Sequence, residues 1–404
     1  MINIIIIFVA MSLGVLTELS IGPMIYKVDI IEPVLICIAL GIVINLWNKN
    51  KFYKIPPLLL SLMAILTAIF LYSLVSVNWT SYGFSVIPGA MVFFYGIISL
   101  FIAYYYLEEK ENIYIYASRI FVLLIIIQLF FNFSVGLSSG VTGFYDLKDF
   151  ARTLIGKSNF ISIFISFDLI YEFISKQKHW LFFFLIDLVA IIVTISRGAI
   201  VSLVLAIFLF FVIALFNKNF NKKNLLLSLG FLIVVATGFM LATSPGRELL
   251  KGLSSGLGAS TVGTRQTLWK EAFNETLLNP LGVGIVWRND PHNFLFSSLR
   301  NLGFVIGTIY IFLIASPFFL FIHPIILKLS KKSIAILVAY SSVFIHSFIE
   351  VFFFTKLSVT WTMFTLVFIF LVVRKDILSI KDTNSIDIEN KKSFYPSMLK
   401  ENNN

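Results

Sequence analysis

Residues 287–303, WRNDPHNFLFSSLRNLG, hold the side chains in this sequence that are best suited to chemistry. His292 and Asn293 follow a proline and precede an apolar run, and arginines stand on both sides of the pair. A neutral imidazole accepts a proton near pH 7, and a guanidinium binds phosphate oxygens through two parallel hydrogen bonds. The pattern therefore indicates proton transfer by His292 beside a bound phosphate group.

Arg197 stands where an apolar stretch must turn back on itself. The run from Leu181 to Phe216 is too long for one membrane crossing, because a single helix of that length would span about 54 Å at 1.5 Å per residue. Residues 196–198 therefore predict the tip of a hairpin, with Ser196 capping the second helix. The amides and dipole at a helix start attract phosphate, so Arg197 is a candidate phosphate ligand.

Arg265 belongs to the segment TRQTLWKEAFNETLLNP, whose apolar residues recur at helical spacing. We expect Thr264 to cap this helix, which places Arg265 in its first turn. A cation is unfavourable there because a helix start is electropositive, so an approaching anion would explain the arginine. Pairing of Arg265 with Glu271 or Glu275 is the alternative.

The neighbouring polar residues are expected to bind substrate. The glycines within residues 282–284 permit a tight turn, after which Asp290 or Pro291 is expected to open a second helix. Asn293 and Arg300, seven residues apart, then share one face of that helix. The predicted substrate-binding residues are Arg288, Asn293, Arg300, Arg152 and Lys157.

Some of these residues have a second interpretation. Lys157, in the segment ARTLIGKSNF, either binds substrate or extends its ammonium group from the membrane to water. His346 and Glu350, four residues apart near the end of a predicted span, form either a local packing pair or a proton relay.

The composition assigns this chemistry to a membrane protein. The 404 residues are 58% hydrophobic and only 13% charged, with a mean hydropathy of +0.94, which excludes an ordinary soluble domain. Residues 1–374 are predicted to form one all-α polytopic domain of about twelve transmembrane helices, each crossing about 30 Å of hydrocarbon. The apolar runs begin near residues 3, 30, 55, 82, 113, 150, 180, 198, 224, 302, 333 and 357.

The basic residues predict an orientation. Loops with the lysine clusters NKNK and NKNFNKKN are assigned to the cytoplasm, which places both termini inside and the long helical loop 243–301 outside. Much of the predicted site lies in or beside that extracytoplasmic loop. Residues 375–404 form a polar cytoplasmic tail with few apolar residues, for which disorder is expected.

Other functions are disfavoured by what the sequence lacks. Its single cysteine, Cys37, excludes an internal disulfide and a cysteine-based metal site. No outer acidic pair, HExxH segment or nucleotide-binding P-loop is found, so neither a metal nor another cofactor is expected. The net charge of +10 is concentrated in lysine-rich loops, and no nucleic-acid partner is expected.

Three motifs resemble a known family in order and spacing. They are SRGAIVSL after a predicted span, GTRQTLWKEAF followed by NPLGVG, and PHNFLFSSLRNLGFVIG before the next span. Together they resemble the O-antigen ligase and polymerase superfamily of bacterial surface-polysaccharide enzymes, most clearly over residues 180–325. The upstream segment RTLIGKSNF departs from the family pattern, which often has Asn-Pro-Asn where this chain has Lys157-Ser158-Asn159.

The resemblance implies a fold similar to the GT-C membrane glycosyltransferases. It also implies a metal-independent transfer of a glycan from undecaprenyl diphosphate to an acceptor hydroxyl, on the outer face of the bacterial cytoplasmic (inner) membrane. In the family pattern Arg197 and Arg265 neutralise the leaving diphosphate, while His292 orients or deprotonates the acceptor hydroxyl. The expected partners are the lipid-linked donor, the glycan acceptor, membrane lipids and a chain-length regulator protein.

Three functions are compatible with these expectations. The first is a polymerase that joins lipid-linked repeat units into O-antigen or capsule, and the second is a ligase that transfers a finished chain to lipid A-core in lipopolysaccharide biosynthesis. The third is a flippase or transporter of the lipid-linked glycan, which would need polar positions along a central path. Polymerisation is favoured because the polymerases of the family are more diverse than its ligases and no motif marks a lipid A-core site.

Overall fold

The computed structural model describes residues 2–21, 24–49, 54–141, 143, 146–242, 246–247, 250, 260–286 and 290–394, which fold mainly into helices. The helices, numbered α1 to α14 in chain order, are Ile2–Ser12, Ile31–Asn48, Pro57–Val75, Ile87–Leu107, Asn112–Ser138, Ser158–Ser175, Trp180–Thr194, Arg197–Phe216, Lys222–Ala242, Ser260–Leu278, Phe294–Ala315, Phe319–Ile322, Lys331–Ser347 and Lys356–Phe394.

Two short antiparallel hairpins interrupt the helices. Strand β1, Val15–Ile21, pairs with β2, Met24–Asp29, directly after α1. Strands β3, Arg152–Thr153, and β4, Gly156–Lys157, form a smaller hairpin directly before α6.

Eight helices within the described residues are long and apolar enough to cross a membrane, and α1 and α7 are apolar but shorter. The chain is therefore an integral membrane protein built mainly of helices, as its composition predicts. The helical part of the first predicted span ends after only 11 residues at Ser12, because the chain continues as β1 instead. Helix length alone therefore supports fewer full crossings than the predicted number of about twelve.

The predicted hairpin at residues 196–198 is confirmed. Helix α7 ends at Thr194, and Ile195 has a left-handed φ of +53° that reverses the chain. The Ser196 hydroxyl accepts a hydrogen bond from the Ala199 backbone over 3.3 Å, as expected of a cap, so that α8 begins at Arg197.

Helix α14 occupies the centre of the bundle. Between residues 356 and 373 its side chains are almost all buried, and Trp361 lies edge-on to the rings of Phe164, Phe167 and Phe352. Helix α14 packs against α4 and α13, and α13 packs in turn against α6 and α8. These contacts fix the ends of the helices that carry the polar residues.

One end of the bundle collects those polar residues, and we call it the site end. The starts of α6, α8 and α11 meet the end of α13 there, where Asn293 bonds the carbonyl of Phe348 over 2.8 Å. Residues near both ends of the chain lie at the opposite end of the bundle. Asn3 bonds the Tyr106 hydroxyl at the end of α4, and Asp376 accepts a hydrogen bond from the Ser330 backbone before α13.

Several predicted boundaries are wrong. Helix α6 begins at Ser158 rather than near residue 150, because residues 152–157 form the second hairpin. Helix α10 is already helical at Ser260, so Thr264 does not cap it. Helix α11 begins at Phe294 with Asn293 as its cap, not at Asp290 or Pro291.

At its C-terminal end, α14 continues to Phe394 and so passes through residues 375–394, where composition favours disorder. Helix α11 also has an internal break at Gly303, whose φ of +75° and ψ of 176° are not helical. The predicted apolar run that starts near residue 302 is therefore the second segment of a bent helix.

Candidate active site

His292 lies in a short loop at the site end, directly before α11. Its backbone N–H donates to the Asp290 carboxylate over 2.8 Å, and its φ is +49°. A left-handed conformation is costly for a side chain larger than glycine, and it persists where surrounding contacts enforce it, often at functional sites. The side chain is 46% exposed, so the loop presents the imidazole to an incoming ligand.

Glu350 orients this imidazole. It follows the end of α13, and its Oε1 atom lies 3.3 Å from Nδ1 of His292. The Asn159 side chain, in the first turn of α6, donates to Oε2 of Glu350 over 3.3 Å. When the hydrogen of neutral His292 is on Nδ1, facing Glu350, its Nε2 atom becomes the proton acceptor.

The contact also changes the acid–base properties of both residues. The hydrogen bond to Glu350 raises the pKa of His292, although burial and the positive charge of Arg265 oppose the increase. Burial would raise the pKa of Glu350, but hydrogen bonds from His292 and Asn159 bring it below its usual value. His292 is therefore a stronger base than a free imidazole, beside a carboxylate that stays ionised.

The packing of α8 against α13 positions Arg197. Gly198 lies against the buried ring of His346, since a Cβ atom at residue 198 would be only 2.8 Å from Nε2 of His346. His346 is one helical turn before Glu350 in the chain. This close contact brings the start of α8, with a half-buried Arg197, to the His292–Glu350 pair.

The docking of α10 onto the 291–296 segment positions Arg265. The Trp269 indole donates to the carbonyl of Pro291 over 2.9 Å, and its ring stacks on Phe296 with the centroids 5.8 Å apart. Arg265 precedes Trp269 by four residues and therefore lies on the same helix face. Because Arg265 is not in the first turn of α10, the helix-dipole reason for an anion at this position does not apply.

Lys148 lies near the two arginines, and no sequence motif indicates it. It lies in a short 3₁₀ turn, Asp146–Asp149, after α5. Burial lowers the pKa of the Lys148 ammonium, nearby Arg197 and Arg265 lower it further, and Glu350 opposes this change. Lys148, Arg197 and Arg265, which we call the cation cluster, are thus close enough to act on one another beside Glu350.

Two predicted substrate-binding residues make contacts within the protein. Asn293 caps α11, because its side-chain oxygen accepts from the backbones of Leu295 and Phe296. Arg300 is buried, with its Nε 2.5 Å from Oε2 of Glu275, and so joins α11 to α10. Glu275, an alternative partner for Arg265, therefore binds a different arginine.

Three other predicted residues are located as follows. Arg152 and Lys157 are cross-strand partners in the second hairpin, and both side chains are exposed. Arg288 lies outside the described residues. The substrate-binding roles of all five residues remain predictions.

The glycines of the NPLGVG motif allow the chain to pass very close to α11. Gly282 has a φ of +83°, and a Cβ atom there would be 2.4 Å from the backbone nitrogen of Gly303. The Val283 backbone donates to the carbonyl of Arg300 over 2.9 Å, and the Gly284 backbone donates to that of Asn301 over 3.0 Å. The predicted tight turn is confirmed. Its contacts with residues 300–303 stabilise the bend in α11, which places the start of that helix at the site.

Asn159 and Glu350 are further site residues that sequence reasoning did not select. Glu350 was considered only with His346, and Asn159 only as part of a motif that departs from its family pattern. A carboxylate in an otherwise apolar segment was the available signal for Glu350. In the described part of the chain, no group of three or more His, Cys, Asp or Glu side chains is arranged to hold a metal ion.

The fold and the site together define a polytopic membrane protein with cations and a histidine–carboxylate pair gathered at one end of its helices. The O-antigen ligase family model matches residues 182–312, which confirms the resemblance found in the motifs. The match includes Arg197, Arg265 and His292, whereas Lys148 and Glu350 lie outside it. A comparison with curated proteins finds no match.

Proposed function

We propose that this protein transfers a glycan from a lipid diphosphate to a hydroxyl group of a second glycan. The observation that carries the proposal is the meeting of the cation cluster with the His292–Glu350 pair. Such a site combines charge neutralisation for a leaving diphosphate with a base for the attacking hydroxyl. The O-antigen ligase match supports a substrate of this class.

The cation cluster would stabilise the leaving group. As the anomeric carbon separates from the phosphate oxygen, negative charge develops on the lipid diphosphate. Arg197 and Arg265 would bind its oxygens in a bidentate manner, and Lys148 would add a third positive charge. Because Lys148 is destabilised by its cationic neighbours, a bound diphosphate would relieve their mutual repulsion as well.

His292 would accept the proton of the attacking hydroxyl. The hydroxyl oxygen forms the new bond to the anomeric carbon, the bond from that carbon to the diphosphate breaks, and the hydroxyl proton moves to Nε2 of His292. Glu350 would hold the ring by its Nδ1 atom and stabilise the imidazolium ion that results, as the carboxylate does in a catalytic triad.

The reaction is proposed to need neither metal nor cofactor, because the cation cluster would supply the positive charge that a metal ion supplies elsewhere. Polymer formation by purified protein should therefore persist in excess EDTA. Loss of product in EDTA that Mg²⁺ or Mn²⁺ restores would contradict this part of the proposal.

The donor is proposed to be an undecaprenyl-diphosphate-linked repeat unit and the reaction its polymerisation into O-antigen or capsule, with a chain-length regulator as partner. Transfer of a finished chain to lipid A-core is the second candidate, because the matching family model is described as O-antigen ligase. The third hypothesis, a flippase, moves the lipid-linked glycan without making a covalent product.

The surrounding architecture is proposed to be GT-C-like, with about twelve membrane crossings, both termini in the cytoplasm and the site end outside the inner membrane. Cysteine labelling in a Cys37→Ala background tests the orientation. Cysteines at positions 197 and 265 should react with an impermeant reagent from outside, and those at 222 and 331 only after the membrane is opened. Labelling of position 222 from outside would invert the topology.

The decisive experiment incubates the purified protein with a lipid-linked repeat unit and measures the length of the glycan on its lipid. A polymerase lengthens the glycan on undecaprenyl diphosphate. A ligase instead needs added lipid A-core and transfers the glycan to it, and a flippase leaves the glycan unchanged.

A His292→Asn variant tests the site in the same assay, because asparagine tolerates the left-handed backbone at this position. We expect transfer to fall by about 10²–10⁴-fold, the range for loss of a general base. His179→Asn is the matched control, since His179 also has a positive φ, +64°, but lies before α7 at the opposite end of the bundle. Full activity of His292→Asn would contradict the proposed role.

A further inference from the structure

A cavity of about 340 Å³ lies at the site end of the bundle. The starts of α2, α4, α6 and α14 line it, together with the end of α1 and parts of both hairpins. Its volume is at the lower end of the range of about 300–1,000 Å³ found for small-ligand pockets. At about 30 Å³ per water molecule, the space equals that of about eleven waters, enough for a monosaccharide or a compact disaccharide.

Phe160, which lines this cavity, directly follows a residue that contacts the candidate active site. Asn159, the preceding residue, bonds Glu350, whereas Phe160 lines the cavity and contacts the ring of Phe352 with a centroid distance of 5.4 Å. Asn159 contacts Glu350, and the next residue of the same helical turn, Phe160, contacts the cavity. The cavity therefore lies on the order of 10 Å from the Glu350 carboxylate. One glycan chain is long enough to reach both.

Both lysines that line this cavity are already paired, and Lys27 binds the Glu18 carboxylate over 2.9 Å. Lys356, at the start of α14, donates to the Glu32 carboxylate and to the carbonyl of Lys27, and its ammonium lies 3.9 Å from the centre of the Tyr26 ring. Its side chain is only 10% exposed. Lys356 therefore has little capacity left for an anionic ligand.

The carboxylate of Asp29 differs from Lys356 because it retains acceptor capacity. Its Oδ2 atom is 4.0 Å from the Lys356 ammonium, too far for a hydrogen bond, and a quarter of the side chain is exposed where it lines the cavity. Burial raises the pKa of Asp29, and the Lys356 charge only partly opposes this increase. A ligand that donates hydrogen bonds would satisfy this carboxylate.

We propose that the cavity binds a neutral sugar residue of the glycan, with Asp29 accepting hydrogen bonds from its hydroxyl groups. Met11, Ile155 and Phe160 would cover the apolar face of the ring. The inference rests on the proposed function and adds a glycan subsite to it. A lipid acyl chain fits less well, because it would leave the half-buried Asp29 carboxylate without a donor.

Saturation-transfer NMR tests this subsite without any need for catalysis. The probes are glucose, galactose and N-acetylglucosamine, each added to purified protein in lipid nanodiscs. Asp29→Asn removes the ionised acceptor, and Ile155→Trp fills the space from the short loop between β3 and β4. The matched controls are Glu109→Gln and Leu16→Trp, which alter exposed residues that do not line the cavity.

We expect the saturation-transfer signal of at least one sugar to fall about tenfold in both cavity variants and in neither control. The concentration of lipid-linked repeat unit that gives half-maximal turnover should rise by a similar factor of about ten in Asp29→Asn, while turnover at saturation changes little. Equal sugar signals in wild type and both cavity variants would overturn the proposal. So would a copurified lipid, detected by native mass spectrometry, that Ile155→Trp displaces and Asp29→Asn retains.

The two proposals fail in different ways. If His292→Asn abolishes transfer while the cavity variants keep normal sugar signals and turnover, the subsite is wrong and the proposed function stands. If the cavity variants lose their sugar signals while His292→Asn leaves transfer unchanged, the cavity binds sugar but the assigned chemistry is wrong.

Discussion

Charged residues occur in two very different settings in this protein. At the site end, Arg197 and Arg265 are partly exposed and lie with Lys148 in an excess of positive charge. Between α5, α6 and α7, Arg119 is instead buried and binds Glu172 through two hydrogen bonds of 2.6 and 2.8 Å, with the Phe183 ring 4.5 Å from its guanidinium.

Two more carboxyl groups accompany the buried ion pair. Asp168 and Asp187 are also buried and lie close enough to interact with each other, and we expect two such carboxyl groups to share a proton. Arg119 and Asp187 both lie within predicted spans, and the arginine bonds Glu172 rather than Asp187. The difference teaches that an arginine in a predicted span becomes structural when a carboxylate binds its guanidinium group, whereas a group of cations with fewer carboxylates beside it keeps a net positive charge.

The largest expected effect comes from breaking the buried pair. Glu172→Gln should leave the Arg119 charge uncompensated and destabilise the fold by about 3–5 kcal/mol, as for other buried pairs that lose one partner. Thermal unfolding of purified protein and its accumulation in the membrane measure the change. Glu18→Gln, at an exposed ion pair, is the control and should unfold like the wild type. Equal stability of the two variants would contradict a structural role for the buried Arg119–Glu172 pair.

At the site end the same kind of substitution should spare the fold and remove activity. Arg197→Ala and Arg265→Ala should each reduce transfer by about 10²–10³-fold, the usual cost of losing one group that stabilises a developing anion. Replacement by lysine should recover only part of the activity, because an ammonium lacks the bidentate fork. Arg374→Ala, at the opposite end of the bundle, is the control. Unchanged turnover in either site variant would indicate a structural role for that arginine.

Glu350→Gln should produce a smaller change with a characteristic pH dependence. Glu350 raises the pKa of His292, so its replacement should lower that pKa and move the acidic limb of the rate profile to lower pH. The plateau should also fall about tenfold, because the imidazole is no longer held in one tautomer. A rate profile of transfer against pH shows both effects, and a lower rate without any shift of the limb would contradict the contact with His292.

The smallest effect is expected for Asp187→Asn. An amide has the shape of a protonated carboxyl group and can donate to the remaining Asp168, so stability should change by less than about 1 kcal/mol. Asp187→Leu has similar bulk but no donor, and thermal unfolding should show it to be clearly less stable. A large loss of stability in the asparagine variant would show that Asp187 must be ionised.

Local patterns in the sequence were sufficient for much of this protein. Hydrophobicity identified an integral membrane protein of helices, since apolar runs of this length have few alternatives in a bilayer. The Ser196 cap, the turn at Gly282 and Gly284, and the end of α10 before Pro280 were also predictable, because they depend on the conformational preferences of a few adjacent residues.

Helix starts were less predictable, because composition does not show where a β-hairpin replaces a helical turn. The two hairpins therefore shortened α1 and α6, and α10 proved to be helical before its expected cap. At the other end of the chain, α14 continues through residues 375–394 despite their polar composition.

The sequence by itself determined which residue types are available at the site, and its motifs singled out Arg197, Arg265 and His292. Only the tertiary structure decided which partners they have. Glu350 and Lys148 reach the same site from segments far away in the chain, while Arg300 is bound to Glu275. The physical reason is that a side chain's partner is set by how helices pack, and contacts between distant segments leave no spacing pattern in the sequence.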